Sequence, residues 1–99
     1  MIKGIIWCKN FEYGCEELNF LIKNYEGFAK VEWYEYRKDS RTVIFNNGDI
    51  WEVVVVKQNN GRGKQCNISY IDTSIDKRYI VEVIDPSTIS KPYVGKYYY

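Results

Sequence analysis

The sequence predicts a single α+β domain, with one main amphipathic helix packed on a mixed or mostly antiparallel sheet of about five strands. Three observations carry this. Apolar side chains recur at helical spacing from Phe11 to Tyr25, strand-like runs flank Asn47-Gly48, and a short apolar run opens the chain from Ile2 to Cys8. With 99 residues there is room for one core and no second.

Ile2 to Cys8 reads as a buried first strand, and Asn10 then stands where a helix cap belongs. Phe11, Cys15, Leu18, Leu21, Ile22 and Tyr25 share one helical face, while Glu12, Glu16, Glu17 and Lys23 take the other. Gly27 suits a left-handed C-terminal cap. Ala29 to Arg37 alternates as a strand, and Lys38-Asp39-Ser40 turns into a second strand from Arg41 to Phe45. Asn47-Gly48 predicts a hairpin with positive φ at both central positions, leading into Ile50 to Val56, a strand covered on both faces. After the polar loop Gln58 to Lys64, residues Gln65 to Ile71 form a fifth strand. Beyond it, Asp72, Thr73 or Ser74 can cap a helix reaching about Ile84, with Ile75, Tyr79 and Val83 on one face. The run Tyr79-Ile80-Val81 equally suits a strand, and Pro86 ends the element in either case. The predicted order is β-α-β-β-β-β-α. Residues 1–85 make the domain and residues 86–99 an extended, tyrosine-rich arm.

Composition sets the class. Apolar residues at 45% and charged residues at 27% fit a soluble packed domain and argue against general disorder. Ten Tyr, three Trp and four Phe exceed what so small a core needs, which points to a contact surface. A net charge of +1 gives no overall sign of nucleic acid or a membrane. Charge is nevertheless segregated: six Glu face only Lys23 and Lys30 between Phe11 and Glu35, whereas Lys57, Arg62 and Lys64 meet no acid before Cys66. Lys91 and Lys96 also stand without an acid in the tail. Cys8, Cys15 and Cys66 show no metal-binding spacing, and without His the usual zinc sites lack ligands. Buried free thiols in a reducing cytoplasm are the expectation, with no membrane span and no leader at Met1 to Trp7.

The chemistry of catalysis is missing. The absence of His removes the histidine-based nucleophile systems and the histidine general base. Glu12, Glu16 and Glu17 lie on a solvated helix face, and Asp49, Asp72, Asp76 and Asp85 sit where Asp caps or turns. Gly61-Arg62-Gly63-Lys64 is not a Walker loop, because Gln58 replaces its first Gly and Gln65 its Ser or Thr. The expectation is a binding protein without enzyme activity, cofactor or metal.

The runs Arg41 to Trp51, Gly61 to Lys64 and Asn67 to Asp72 resemble small proteins encoded by bacteriophages and prophages. They are also similar to the strand, loop and Walker B region of terminase and helicase-like ATPases. Asp72 then stands at the Walker B Asp, but Thr73 follows where the family has Glu, and the Walker A loop is absent. The resemblance implies a scaffold that has lost hydrolysis. It also implies an inhibitor of host antiviral defence in the host cytoplasm, which sequesters a nucleotide signal or blocks an effector protein.

For a nucleotide, Arg62, Lys64, Asn67, Tyr70 and Asp72 form the candidate site, with Tyr93, Lys96 and Tyr97 closing it from the arm, within one chain or from a second copy in a homo-oligomer. Packing of the arm on an open sheet edge is the competing structural role. The alternative function is a nucleic-acid accessory factor in packaging or replication, using the same loop and tyrosines. The near-neutral charge weighs against it.

Overall fold

In a computed structural model describing residues 1–57 and 63–99, β1 (Lys3–Cys8) is buried on both faces and takes a central position in the sheet. α1 (Phe11–Asn24) follows, its first turn closed by Asn10 Oδ1 accepting from the Tyr13 amide at 3.1 Å. Gly14 lets this helix lie close on β1, since a Cβ there would stand 2.6 Å from Cys8 Sγ. β2 (Val31–Tyr36), β3 (Ser40–Phe45) and β4 (Ile50–Val55) form the expected antiparallel meander. The turn before β4 differs from the expected two-residue loop. The Phe45 amide donates to Asp49 O and the Gly48 amide to Phe45 O, so residues 46–48 form a three-residue loop with Gly48 at φ 92°.

β5 (Ile68–Ile71) and β6 (Gly95–Tyr98) complete a six-stranded mixed sheet in the order β2-β3-β4-β1-β5-β6. β1 pairs in parallel with both β4 and β5, and β5 with β6. The C-terminal segment, read from sequence as an arm, thus supplies a sixth strand at the sheet edge. Expected order and observed order agree up to that addition.

The second helical region spans residues 77–87 and settles the helix-or-strand alternative. It starts as α2 (Lys77–Tyr79), widens into a π turn over Ile80–Ile84 and closes as α3 (Asp85–Ser87). Its cap is Asp76 rather than Asp72, Thr73 or Ser74, with Oδ1 accepting from the Arg78 amide at 2.8 Å. Pro86 lies inside the closing turn instead of ending the element. Proline has no N–H to return to the carbonyl four residues back, and β-branched side chains crowd a regular α turn. The π turn accommodates both, with the Asp85 amide donating to Ile80 O.

Each face of the sheet has its own core. α1 covers Ile6, Cys8, Val43, Phe45, Trp51 and Val53 on one side. The composite helix lays Ile80, Val83 and Ile84 over Ile5, Trp7, Val54, Cys66 and Ile71 on the other. This second core holds a buried polar chain: Trp7 Nε1 donates to Ser69 Oγ at 2.9 Å, and Ser69 Oγ meets Thr88 Oγ1 at 2.7 Å. No helix among the described residues is long and apolar enough to cross a membrane.

Candidate functional site

The residues singled out by sequence do not meet at one place. Arg62 lies outside the described residues. Asn67 sits at the amino ends of the parallel strands, accepting from the Lys3 amide at 2.6 Å and donating to Ser90 O at 3.1 Å. Asp72 lies at their carboxyl ends, buried, with Oδ1 closing a turn onto the amide and hydroxyl of Ser74. Tyr70 and Tyr97 touch on the α1 face, ring centroids 5.7 Å apart. Lys64 and Lys96 are engaged in ion pairs, with Glu52 at 2.9 Å and Asp85 at 2.7 Å respectively. Lys64 also lines a hollow against Glu82, Val83 and Pro86 on the composite-helix side. Tyr93 is exposed. Among the described members of this set, Tyr70 and Tyr97 form a ring contact.

A different set converges. In sheets with parallel strands, ligands bind outside the carboxyl ends, where successive connections leave to opposite faces. Here β1 departs through α1 on one face, whereas β5 departs through the composite helix on the other. Between those two strand ends the crevice is filled by Tyr99, whose phenol donates to Trp7 O at 2.9 Å and whose ring lies 5.4 Å from Tyr13. Burial, the first cause, and nearby Cys8 and Asp72 push the Tyr99 phenol pKa far upward, so it stays a neutral donor.

Beside this filled crevice, a cavity of about 340 Å³ opens at the carboxyl ends of β1 and β4. Lys9 follows β1 directly, Val56 and Lys57 follow β4, and Ile75, Asp76, Arg78, Tyr79 and Glu82 close the far side. The Val56 amide extends the ladder to Cys8 O at 2.7 Å, which holds the two lysine-bearing ends side by side. The Tyr79 ring meets the buried Trp7 edge-on at 6.3 Å, fixing an aromatic wall. Arg78 Nε donates to Glu82 Oε1 at 3.0 Å, and that pair raises the Arg78 pKa. Lys9 and Lys57 form no ion pair with any described residue.

This arrangement can take an anion. Two uncommitted ammonium groups line a hollow of ligand size that also holds the Arg78–Glu82 pair, Asp76 and the Tyr79 ring. The residues missing from the sequence reading as site residues are Lys9, Arg78 and Tyr79, with Lys57 noticed only as part of a basic stretch. A signal existed: a lysine stands within two residues of the end of each of two buried apolar strands. It becomes meaningful only when those strands are known to run parallel. Among the described residues, no three His, Cys, Asp or Glu side chains gather to hold a metal ion. Comparison of the chain with protein-family models, curated proteins and solved structures returns no match.

Proposed function

We propose that this is a non-catalytic binding protein whose cavity beyond β1 and β4 takes a small phosphorylated ligand with a flat ring, of the nucleotide class. The observation that carries the reading is that Lys9 and Lys57, just past the adjoining ends of parallel β1 and β4, line one hollow with Arg78 and Tyr79. Phosphate oxygens would take the cations, and a base would lie against Tyr79. The resemblance to phage-encoded proteins supplies the setting: inhibition of a host antiviral defence by withholding a nucleotide signal, with obstruction of an effector protein as the other route.

Calorimetric titration against linear and cyclic mono- and dinucleotides tests this. The expected result is one-to-one binding to at least one of them, weakened by salt and by at least about tenfold in a Lys9→Ala/Lys57→Ala variant. No binding across the panel would reject the proposal. A salt-sensitive gel shift with single- or double-stranded DNA, without nucleotide binding, would favour the nucleic-acid accessory reading instead.

A further inference from the structure

The cavity beyond β1 and β4 holds an acid that the binding of an anion does not explain. Asp76 lines it together with Lys9, Lys57, Arg78 and Tyr79. Its Oδ1 caps the composite helix by accepting from the Arg78 amide at 2.8 Å, but Oδ2 accepts no hydrogen bond from a described residue. Asp76 forms no ion pair with a described residue either, because Arg78 gives its Nε to Glu82 at 3.0 Å. The residue is exposed, so a ligand in the hollow can reach it.

A carboxylate left open beside an anion weakens binding by repulsion unless the ligand brings hydrogen-bond donors to it. The two sides of the hollow differ in what they offer. Lys9 and Lys57 come from the strand ends, whereas Asp76 and Tyr79 come from the helical segment. Asp76 and Tyr79 stand three residues apart on one turn, the spacing at which helical side chains are neighbours. With the phosphate at the lysines and the base against Tyr79, the edge of the base falls next to the Asp76 carboxylate.

A carboxylate can only accept, and Oδ1 keeps a second lone pair beyond the one used for the cap. Guanine presents two adjacent donors, N1–H and the 2-amino group, which match the two carboxylate oxygens. Adenine and cytosine set one amino donor beside a ring-nitrogen acceptor, and uracil sets one N–H between two carbonyl oxygens. Each of those acceptors turns a lone pair towards the carboxylate and is disfavoured.

We infer that Asp76 reads the base and that the cavity selects guanine nucleotides over adenine nucleotides. The inference rests on the nucleotide reading of the same cavity and adds the identity of the base.

Calorimetric titration of the full chain with GMP, inosine monophosphate and AMP tests it. Inosine monophosphate keeps N1–H but lacks the 2-amino donor. GMP should bind at least about tenfold tighter than either of the others, the discrimination that one hydrogen bond to a charged group supplies. In Asp76→Asn the advantage of GMP over inosine monophosphate should vanish, because an amide nitrogen replaces one acceptor, and AMP should bind no more weakly. Asn caps a helix about as well as Asp, so the melting temperature should hold. Should the variant fail to fold, the wild-type comparison of GMP with inosine monophosphate still decides. Equal affinities for the three would overturn the inference while leaving nucleotide binding intact. A GMP preference that survives Asp76→Asn would overturn the role of Asp76. Binding of none of the three would overturn the inference as well, and the nucleotide reading falls with it only if the dinucleotides also fail to bind.

Discussion

The cavity at the carboxyl ends of β1 and β4 and a second one of the same size, about 340 Å³ each, between the α1–β2 connection and Asn46 use their polar groups differently. At the amino ends Asp49, Asn67 and Asn46 are spent on the fold, while the ammonium groups of Lys3 and Lys30 form no ion pair with a described residue. Asp49 accepts from the Ile2 amide at 2.8 Å and from Tyr25 Oη at 2.8 Å, and Trp51 Nε1 donates to that same phenol. Asn67 holds Lys3, and Asn46, which lines the second cavity, accepts from the Lys30 amide. At the carboxyl ends Lys9 and Lys57 are spent on nothing described. The difference teaches that polarity alone does not locate a site; what matters is whether the group is already engaged.

The contrast is broken most severely at Asp49. Asp49→Ala should leave the Ile2 amide and the Tyr25 hydroxyl without their acceptor and cost about 3 kcal/mol in chemical denaturation. Nucleotide affinity at the opposite end should not change. A loss under about 1 kcal/mol would mean that water replaces the carboxylate freely.

Ser69→Ala probes the core between the two ends. It strips the Trp7 indole of its acceptor, while the Thr88 hydroxyl keeps its bond to Ile84 O. About 2 kcal/mol of destabilisation is expected from leaving the indole N–H buried and unpaired.

Alkali sharpens the comparison differently. Burial pushes the Cys8 thiol up to about 11, with Cys15 and Asp72 adding to it, and burial pushes the Tyr25 phenol up to about 12. The folded chain thus keeps protons that the unfolded chain gives up. Unfolding releases them, so stability is full below about pH 9 and falls as pH rises towards about 12. Melting temperature measured across that window should decline steadily; a flat profile would show that these groups titrate normally.

The smallest effect on stability belongs to the candidate site. Lys9→Ala and Lys57→Ala should each change stability by no more than about 0.5 kcal/mol, as expected of exposed groups outside any network. If either substitution instead destabilises like Asp49→Ala, the polar groups of the carboxyl end serve the fold just as those of the amino end do.

Local signals made much of the fold legible. Asn10, the apolar spacing through Tyr25 and Gly27 define α1 from nearby residues alone, and the meander follows from alternation and the Asn47-Gly48 turn. The parallel partners of β1 are distant in sequence: Lys3 aligns with Ile50, and Gly4 with Ile68. No local pattern encodes such pairing. The same holds for β6, where Gly95–Tyr98 shows an arm-like composition and acquires its role only by lying beside β5. The site was harder still. Asn67 and Lys64 look available in sequence, yet the fold consumes both, whereas Lys9 looks like a strand terminus until β4 brings Lys57 to the same hollow. Residue type was readable, but its engagement was not.

Amide chemical-shift mapping during titration with the tightest-binding nucleotide tests the central claim most directly. The account predicts perturbations concentrated at Lys9, Lys57, Arg78 and Tyr79, with the amides of Asn46, Asp49 and Asn67 unmoved. Perturbations centred on Asn67, Tyr70 and Tyr97, or at the cavity beside Asn46, would contradict it.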